Sequence, residues 1–214
     1  IADIIILLFA PFLMAGLIKK TKAFWGGRKG PSVFQPLYDF IKLWKKDYVI
    51  SKTTSGVFRI APVVMIVSVL FASMFIPLAS GSSVVSVAGG LIVFAYTLSI
   101  GKFFALISAM DTGSSFEGMG ASREACFTSI VEPAFFITVG SIMALSGNYT
   151  FDSLREIFAN AGHYGILIAI FAVVVLFLMI LIEGSRVPVD DPATHLELTM
   201  IHEVMILDNS GSDL

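Results

Sequence analysis

The amino-acid sequence predicts an all-α protein, a polytopic bundle of transmembrane helices, and three observations lead to that prediction. Of the 214 residues, 56% are hydrophobic and only 14% are charged, whereas a soluble domain usually carries about 25% charged residues. The mean hydropathy is +0.87. Several apolar stretches approach the roughly 20 residues that a helix needs to cross the bilayer core. These values exclude a soluble, a disordered and a nucleic-acid-binding protein.

Five apolar stretches are the predicted membrane spans, because a helix satisfies its own backbone hydrogen bonds where no water is present. We interpret the chain as a single membrane domain over residues 1–214. Since it begins in an apolar run and stops soon after a polar segment, we expect a piece of a longer protein, cut at both ends. The spans cover residues 4–18, 60–79, 88–110, 127–145 and 165–182.

The distribution of cations predicts the orientation of the spans. Ten of the fourteen Lys and Arg residues lie between Lys19 and Arg59, in the loop that joins the first two spans. Loops rich in Lys and Arg stay on the cytoplasmic side of a membrane. We therefore expect a multi-pass protein of the plasma membrane whose loops 19–59, 111–125 and 184–214 face the cytoplasm.

One stretch of the first inner loop has the pattern of an amphipathic helix that lies on the membrane. Over residues 35–47, Leu37, Phe40, Ile41 and Trp44 recur at helical spacing, and the lysines fall between them. Such a helix buries its apolar side at the boundary of headgroups and acyl chains. A general basic anchor would show the same pattern, so both interpretations stay open.

Charged side chains within or at the ends of the spans are candidates for function, because a charge is costly inside a bilayer. Lys102 lies in the third span, and Glu132 lies in the fourth, directly before a proline that removes a helical hydrogen bond. Glu183 closes the fifth span, and Arg186 follows at a spacing that allows an ion pair if the helix continues. The candidate ion relay consists of Glu132, Glu183, Lys102, Asp111, Glu117 and Glu124.

Structural roles are also open for several of these residues. Lys102 could extend its ammonium group to the lipid headgroups, and Glu183 with Arg186 could form an ordinary interfacial ion pair. Glu132 is harder to explain in this way, because a carboxylate inside a span needs a partner or a water-filled cavity.

The segment after the fifth span combines acidic residues with signals for a helix start. Asp191 precedes Pro192 and is predicted to cap a helix that begins there. That helix would place His195 and His202 on one face, at a spacing that is only a weak metal signal. Because Cys126 is the one cysteine, we expect no internal disulfide and no cysteine-built metal or iron–sulfur site in this chain.

Three stretches of the sequence together resemble one family of membrane subunits. They are residues 27–43 (GRKGPSVFQPLYDFIKL), 122–134 (SREACFTSIVEPA) and 183–198 (EGSRVPVDDPATHLEL). The chain resembles the membrane subunit shared by respiratory complex I and by energy-converting membrane-bound nickel–iron hydrogenases. Formate hydrogenlyase subunit 4 is a member of this group. The sequence of residues 186–203 is more similar to the hydrogenase branch.

The resemblance implies a fold, partners and cofactors that composition does not. It implies part of a subunit with about eight helices, which anchors a peripheral electron-transfer arm with hydrogenase-like large and small subunits. Antiporter-like membrane subunits, the lipid bilayer and, in the complex I branch, a quinone are the other implied partners. Iron–sulfur clusters and a nickel–iron centre would belong to partner subunits, with no cofactor in this chain.

The resemblance also implies residue roles. Glu132 occupies the position of a buried membrane glutamate of the family, and the inner loops would contact the redox arm. The implied coupling-loop residues are Arg28, Arg123, Arg186, Asp190, Asp191, His195, Glu197, His202 and Glu203.

The main functional hypothesis is a non-catalytic subunit that couples electron transfer in its partners to ion movement through buried carboxylates. One alternative is the quinone-site subunit of a complex I-like dehydrogenase. A second is a free-standing secondary transporter that uses Lys102 and Glu132, although its expected second half is missing from the sequence. A third is a purely structural anchor.

Overall fold

The computed structural model describes residues 2–47, 49–77, 83–146, 150–151, 163–184, 186–187, 189–190 and 200–211. Over these residues the protein consists of helices and connecting segments, without β-strands, as the fold class predicted. The seven helices are α1 (Ala2–Trp25), α2 (Gln35–Trp44), α3 (Gly56–Ser73), α4 (Gly90–Asp111), α5 (Ser115–Ser146), α6 (His163–Glu183) and α7 (His202–Met205).

Four helical stretches are long and apolar enough to cross a membrane. They are Gly56–Ser73, Gly90–Asp111, Ser115–Ala144 and Gly165–Glu183. The second to fifth predicted spans therefore fall on helices of this kind. The first predicted span lies within α1, which is not among the four. Five spans, and a subunit of eight helices, stay predictions.

Two helix boundaries differ from the expected ones for local reasons. Helix α3 begins at Gly56 because the Ser55 hydroxyl accepts the N–H of Val57 at 3.3 Å as its N-cap. Helix α5 begins at Ser115, well before the expected residue 127, so part of the predicted inner loop 111–125 is helical. A Gly-rich polar stretch such as residues 113–120 is typical of a loop, but Glu117 in the first turn favours a helix start.

The chain divides into two compact units. Unit 1 comprises Ile1–Ile50, Leu78–Gly81 and Asn209–Leu214, and it contains α1 and α2. Unit 2 comprises Ser51–Pro77 and Ser82–Asp208, and it contains α3 to α7.

In unit 1 the chain turns back along α1 before α2 begins. Gly27 adopts a positive φ of 65°, which favours glycine, and the N–H of Arg28 returns to the carbonyl of Ala23 at 2.8 Å. The returning chain contacts α1 so closely that a Cβ on Gly16 would lie 1.8 Å from the carbonyl oxygen of Val33. The helix predicted near residues 35–47 is present as α2.

In unit 2 the helices α3 and α4 form the most extensive helix pair. Small residues allow this close approach, since a Cβ on Gly101 would lie 2.2 Å from the Ser68 hydroxyl oxygen. A buried cluster of Ala109, Ala121 and Met205 then holds the short helix α7 against α4 and α5.

Candidate functional site

Three charged side chains from three helices of unit 2 meet at one place. Lys102 of α4 bonds through its Nζ to Oε1 of Glu183, the last residue of α6. The same Nζ lies 3.8 Å from Oε1 of Glu124 on α5. The Lys102 side chain is 25% exposed and that of Glu124 is 10% exposed, so solvent does little to screen their contact. The ammonium group is thus placed between two carboxylates, so Lys102 has acidic partners within the protein.

His202 of α7 continues this arrangement on the other side of Glu124. Its Nε2 lies 3.4 Å from Oε2 of Glu124, and its Nδ1 lies 3.1 Å from Oδ2 of Asp190. We call the resulting series Asp190–His202–Glu124–Lys102–Glu183 the charged chain. Every step in it joins two oppositely charged groups when His202 carries a proton.

Asp190 holds α7 and the imidazole of His202 in place. Its side chain is 2% exposed and accepts the backbone N–H groups of Ile201 and His202, both at 3.2 Å. Because a carboxylate only accepts hydrogen bonds, the imidazole nitrogen facing it, Nδ1, carries the hydrogen of that contact. The other nitrogen, Nε2, faces Oε2 of Glu124 at 3.4 Å.

A cavity of about 400 Å³ between α4, α5 and α6 adjoins the charged chain. Lys102, Glu183 and Glu132 line it, and most other lining side chains are apolar. Glu132 accepts a hydrogen bond from the Ser99 hydroxyl at 2.7 Å. Sequence reasoning missed Ser99, although it precedes Lys102 by three residues and therefore shares its face of α4. Glu132 and the charged chain thus border the same space.

The ion pair that a continuing helix would allow between Glu183 and Arg186 is not formed among the described residues. Helix α6 ends at Glu183, and the chain turns there, with the N–H of Arg186 returning to the carbonyl of Leu181 at 2.9 Å. The helical spacing on which that prediction depended is therefore absent. Glu183 bonds to Lys102 instead.

Two other members of the predicted relay lie apart from the charged chain. Asp111 accepts the backbone N–H of Ser55 at 2.7 Å, where α3 begins. Glu117 is completely buried and accepts the N–H of Asp208 at 2.9 Å, while its Oε2 has no hydrogen-bond partner among the described residues. Asp111 thus binds the backbone directly before α3, and Glu117 binds the backbone a few residues after α7.

The predicted coupling-loop residues are divided between different places. Arg123 donates to the carbonyl of Met200 at 2.9 Å and so helps to hold the segment before α7. Glu203 is exposed on α7, Arg28 is exposed in unit 1, and Arg186 is half-buried. Asp190 and His202 are part of the charged chain. Three more, Asp191, His195 and Glu197, lie outside the described residues, as does the cap predicted at Asp191.

Within the described parts of the chain, no three His, Cys, Asp or Glu side chains are grouped so that they could hold a metal ion. The two histidine nitrogens of the charged chain face carboxylates 3.1 Å and 3.4 Å away. The arrangement suits proton exchange between side chains.

Comparison with known proteins gives one family and several relatives. A family model described as NADH dehydrogenase matches residues 1–204. Hydrogenase-4 component C of Escherichia coli (strain K12) is 30% identical over 214 residues, covering 100% of this chain and 67% of that protein. Formate hydrogenlyase subunit 4 of the same organism is 32% identical over 144 residues, covering 67% of this chain and 47% of that protein.

A relative from another type of complex is also similar. A subunit of the NADH-quinone oxidoreductase of Solibacter usitatus (strain Ellin6076) is 27% identical over 201 residues, covering 87% of this chain and 51% of that protein. This chain therefore spans about half of that relative's length.

A solved structure shares the fold. A chain in the structure of the membrane-bound sulfane sulfur reductase, described as an archaeal respiratory membrane complex, matches with a TM-score of 0.76 and 18% identity. The match covers 99% of this chain and 69% of the other.

Proposed function

Because the chain belongs to the NADH dehydrogenase family, as its sequence motifs predicted, we propose that it is a coupling subunit in the membrane arm of a redox-driven ion-translocating complex. The similarity to hydrogenase-4 component C and formate hydrogenlyase subunit 4 favours a complex of the hydrogenase type. In this proposal the subunit anchors a peripheral electron-transfer arm, whose iron–sulfur clusters and nickel–iron centre belong to partner subunits. The inner loops face the cytoplasm.

The charged chain is the observation that supports this proposal. It leads from Asp190 and His202, beside the short helix α7, to Lys102 and Glu183 at the wall of the cavity. A structural anchor needs no such series of ionisable groups. A relay requires an unbroken series of ionisable groups, and this one leads from Asp190 in a connecting segment to Glu183 between membrane helices.

The spacing of the groups allows each one to influence the next. Two unit charges about 4 Å apart interact by roughly 4 kcal/mol at an effective dielectric constant of about 20. A proton that passes from Nε2 of His202 to Oε2 of Glu124 neutralises both groups, so Lys102 is then left with Glu183 as its charged partner. A charge brought near Asp190 by electron transfer in a partner would start this sequence.

The cavity provides the step from the charged chain to Glu132. A space of about 400 Å³ with charged groups on its wall has room for water, provided that each molecule finds two or more polar partners. Lys102, Glu183, Glu132 and Ser99 supply such partners. Water in this cavity would connect Glu183 with Glu132, so that a proton released by one of these carboxyl groups is taken up by the other.

The proposal is tested by Glu132→Gln and Glu183→Gln in the intact complex, in sealed membrane vesicles. We expect the number of ions moved per electron to fall at least severalfold in both variants, while the complex still assembles. Asp47→Asn is the control, because Asp47 is exposed and belongs neither to the charged chain nor to the predicted coupling-loop residues. Unchanged pumping per electron in both test variants would contradict the relay.

The alternative functions predict different experimental results. A structural anchor predicts that the two variants lose assembly but that any assembled complex pumps normally. A free-standing transporter predicts ion movement by the purified chain without electron transfer. A quinone-site subunit predicts that a quinone competes with an inhibitor bound to the purified complex.

His202→Asn tests the middle of the charged chain. The amide of asparagine can replace Nδ1 as the donor to Asp190, but it offers no group that takes up a proton at the position of Nε2. We expect α7 to stay in place, as judged by limited proteolysis, while pumping per electron falls severalfold. Wild-type pumping in His202→Asn would limit His202 to a structural role.

A further inference from the structure

Unit 1 carries a dense set of exposed cations that the proposed relay does not use. Residues 19–47 hold eight Lys and Arg residues and only two carboxylates, a net charge of +6. All eight cations are exposed. They are Lys19, Lys20, Lys22, Arg28, Lys29, Lys42, Lys45 and Lys46.

None of these eight side chains forms an ion pair with a described residue. The ion pairs of the described residues involve Lys102 and His202. Of the two carboxylates, Asp39 accepts a hydrogen bond from the side chain of Gln35 at 2.9 Å, and Asp47 is exposed. The surface therefore carries an excess of positive charge that an anionic partner would neutralise.

Exposed aromatic rings accompany the cations. Trp25 is 81% exposed, Phe24 is 77%, Trp44 is 69% and Tyr38 is 60%. Trp and Tyr are enriched where the hydrocarbon of a bilayer meets the headgroups. A binding surface for a water-soluble acidic protein has no need of so many exposed rings beside its lysines.

The position of α2 along α1 matches the depth of an interfacial helix. Phe40 of α2 packs against Phe12 of α1, with ring centroids 5.2 Å apart. Phe12 precedes Lys19 by seven residues, which is about 10 Å along a helix at roughly 1.5 Å per residue. An amphipathic helix buries its apolar side about 5–10 Å into the headgroup and acyl boundary. With the lysine-rich end of α1 at the headgroups, α2 would therefore lie at that boundary.

The apolar half of α1 is suited to the same environment. Leu8, Phe9, Met14 and Leu17 are each at least 50% exposed. In a bilayer these side chains contact acyl chains, while the adjoining lysines reach the headgroups with their long aliphatic stems lying in the apolar layer.

We propose that this face of unit 1, which we call the basic surface, binds the headgroups of anionic phospholipids. The phosphate groups contact the ammonium groups at the end of α1 and on α2, and the exposed rings of α2 rest against the acyl chains. A basic segment next to the membrane gains about 1 kcal/mol per Lys or Arg from an anionic leaflet, which is roughly fivefold in affinity. This inference does not depend on the charged chain.

The two tryptophans of the chain provide a direct measurement, because Trp25 and Trp44 are both exposed and are neighbours in sequence of lysines of the basic surface. The full chain in detergent micelles is titrated with brominated phosphatidylglycerol, which quenches tryptophan fluorescence on contact, and with brominated phosphatidylcholine. We expect phosphatidylglycerol to quench at a much lower mole fraction, and we expect salt to weaken this preference. Inorganic phosphate at millimolar concentration should not reverse it.

Two double variants with equal loss of charge locate the site. Lys42→Gln with Lys45→Gln should weaken phosphatidylglycerol binding about 30-fold, from roughly fivefold per lysine. Lys52→Gln with Arg59→Gln removes two exposed cations of unit 2 and should leave binding unchanged. Lys42→Arg with Lys45→Arg should retain it, which shows that a loss comes from charge and not from misfolding.

Several results would overturn the proposal. Equal quenching by the two lipids would show that the surface does not prefer anionic headgroups. Equal weakening of binding by both Gln pairs would show that binding depends on the net charge of the protein and not on the basic surface. Displacement by inorganic phosphate would indicate a site for the free ion. If Lys42→Gln with Lys45→Gln leaves lipid binding intact but releases the peripheral subunits from the complex, the basic surface binds protein.

Discussion

The side chains of the charged chain in unit 2 have partners within the fold, whereas the cations of unit 1 are exposed to the surroundings. In unit 2 the ionisable groups of the charged chain come from three long helices, one short helix and a connecting segment, and each one faces an opposite partner within 4 Å. In unit 1 eight cations point outward without an ion pair to any described residue. Charges that have partners inside the fold can transmit a change from one to the next, whereas charges without them are available to a partner from outside.

The two arrangements also differ in the free energy that is lost when a charged side chain is replaced. Half-buried ionic groups depend on their neighbours, because removal of one partner leaves the others poorly solvated. An exposed lysine is solvated by water and loses little when it is replaced. The comparison therefore predicts that equal substitutions have unequal effects in the two units.

The largest expected effect is that of Lys102→Gln on stability. Without the ammonium group, Glu183 and Glu124 face each other across α4 with no cation between them. We expect a loss of about 2 kcal/mol in the free energy of unfolding, between the 3–5 kcal/mol of a broken buried pair and the 0–1 kcal/mol of a surface pair. Equilibrium unfolding in mixed micelles measures this value.

Lys46→Gln is the matched control for Lys102→Gln, because Lys46 is exposed and has no ion pair among the described residues. Its effect should stay within about 0.5 kcal/mol. Equal losses in the free energy of unfolding from Lys102→Gln and Lys46→Gln would show that a paired and an exposed cation contribute alike to stability.

A second effect, of similar size, is expected in unit 1 from Gly16→Ala. A Cβ at this position would lie 1.8 Å from the carbonyl oxygen of Val33, so the backbone that returns along α1 must move. We expect a loss of about 1–3 kcal/mol and faster tryptic cleavage at Arg28 and Lys29. Gly140→Ala is the control, since a Cβ there meets nothing within 4 Å; its effect should be neutral or stabilising by up to about 1 kcal/mol.

The smallest expected effect comes from the hydrogen bond between Ser99 and Glu132 at the cavity wall. Ser99→Ala removes the donor to Glu132 and should cost about 1 kcal/mol, together with a modest fall in ions moved per electron. Ser141→Ala is its control, because the Ser141 hydroxyl bonds to the carbonyl of Ile137 in its own helix at 2.6 Å. A difference in pumping between the two variants would identify the hydrogen bond to Glu132 as the cause.

The helices could be predicted from the sequence because bilayer-length apolar runs and helical spacing are local properties. Hydropathy located α3 to α6, and the pattern of Leu37, Phe40, Ile41 and Trp44 located α2. The family could also be predicted, since its motifs are continuous stretches of sequence.

The contacts of the site could not be predicted, because they join residues that are distant in the sequence. Lys102 and Glu183 are separated by 81 positions, and nothing local to either residue indicates the other. The partner of Glu183 could not be predicted from the spacing to Arg186 either, because the helix ends at Glu183 and that spacing is no longer helical. Asp190 was expected only as a loop residue, but it accepts two backbone N–H groups at the start of α7, 11 and 12 positions further along the chain.

The close approach of α3 and α4 has a consequence for the way this protein is made. Where Gly101 meets Ser68 there is no room for a lipid tail or for even one extra methyl group, and the two helices follow one another directly in the chain. Two apolar helices that fit together in this way are able to pair as soon as both have left the ribosome and to enter the bilayer as one hairpin. Helices α5 and α6, synthesised later, would then assemble against a template that already presents Lys102 to the carboxylates still to come.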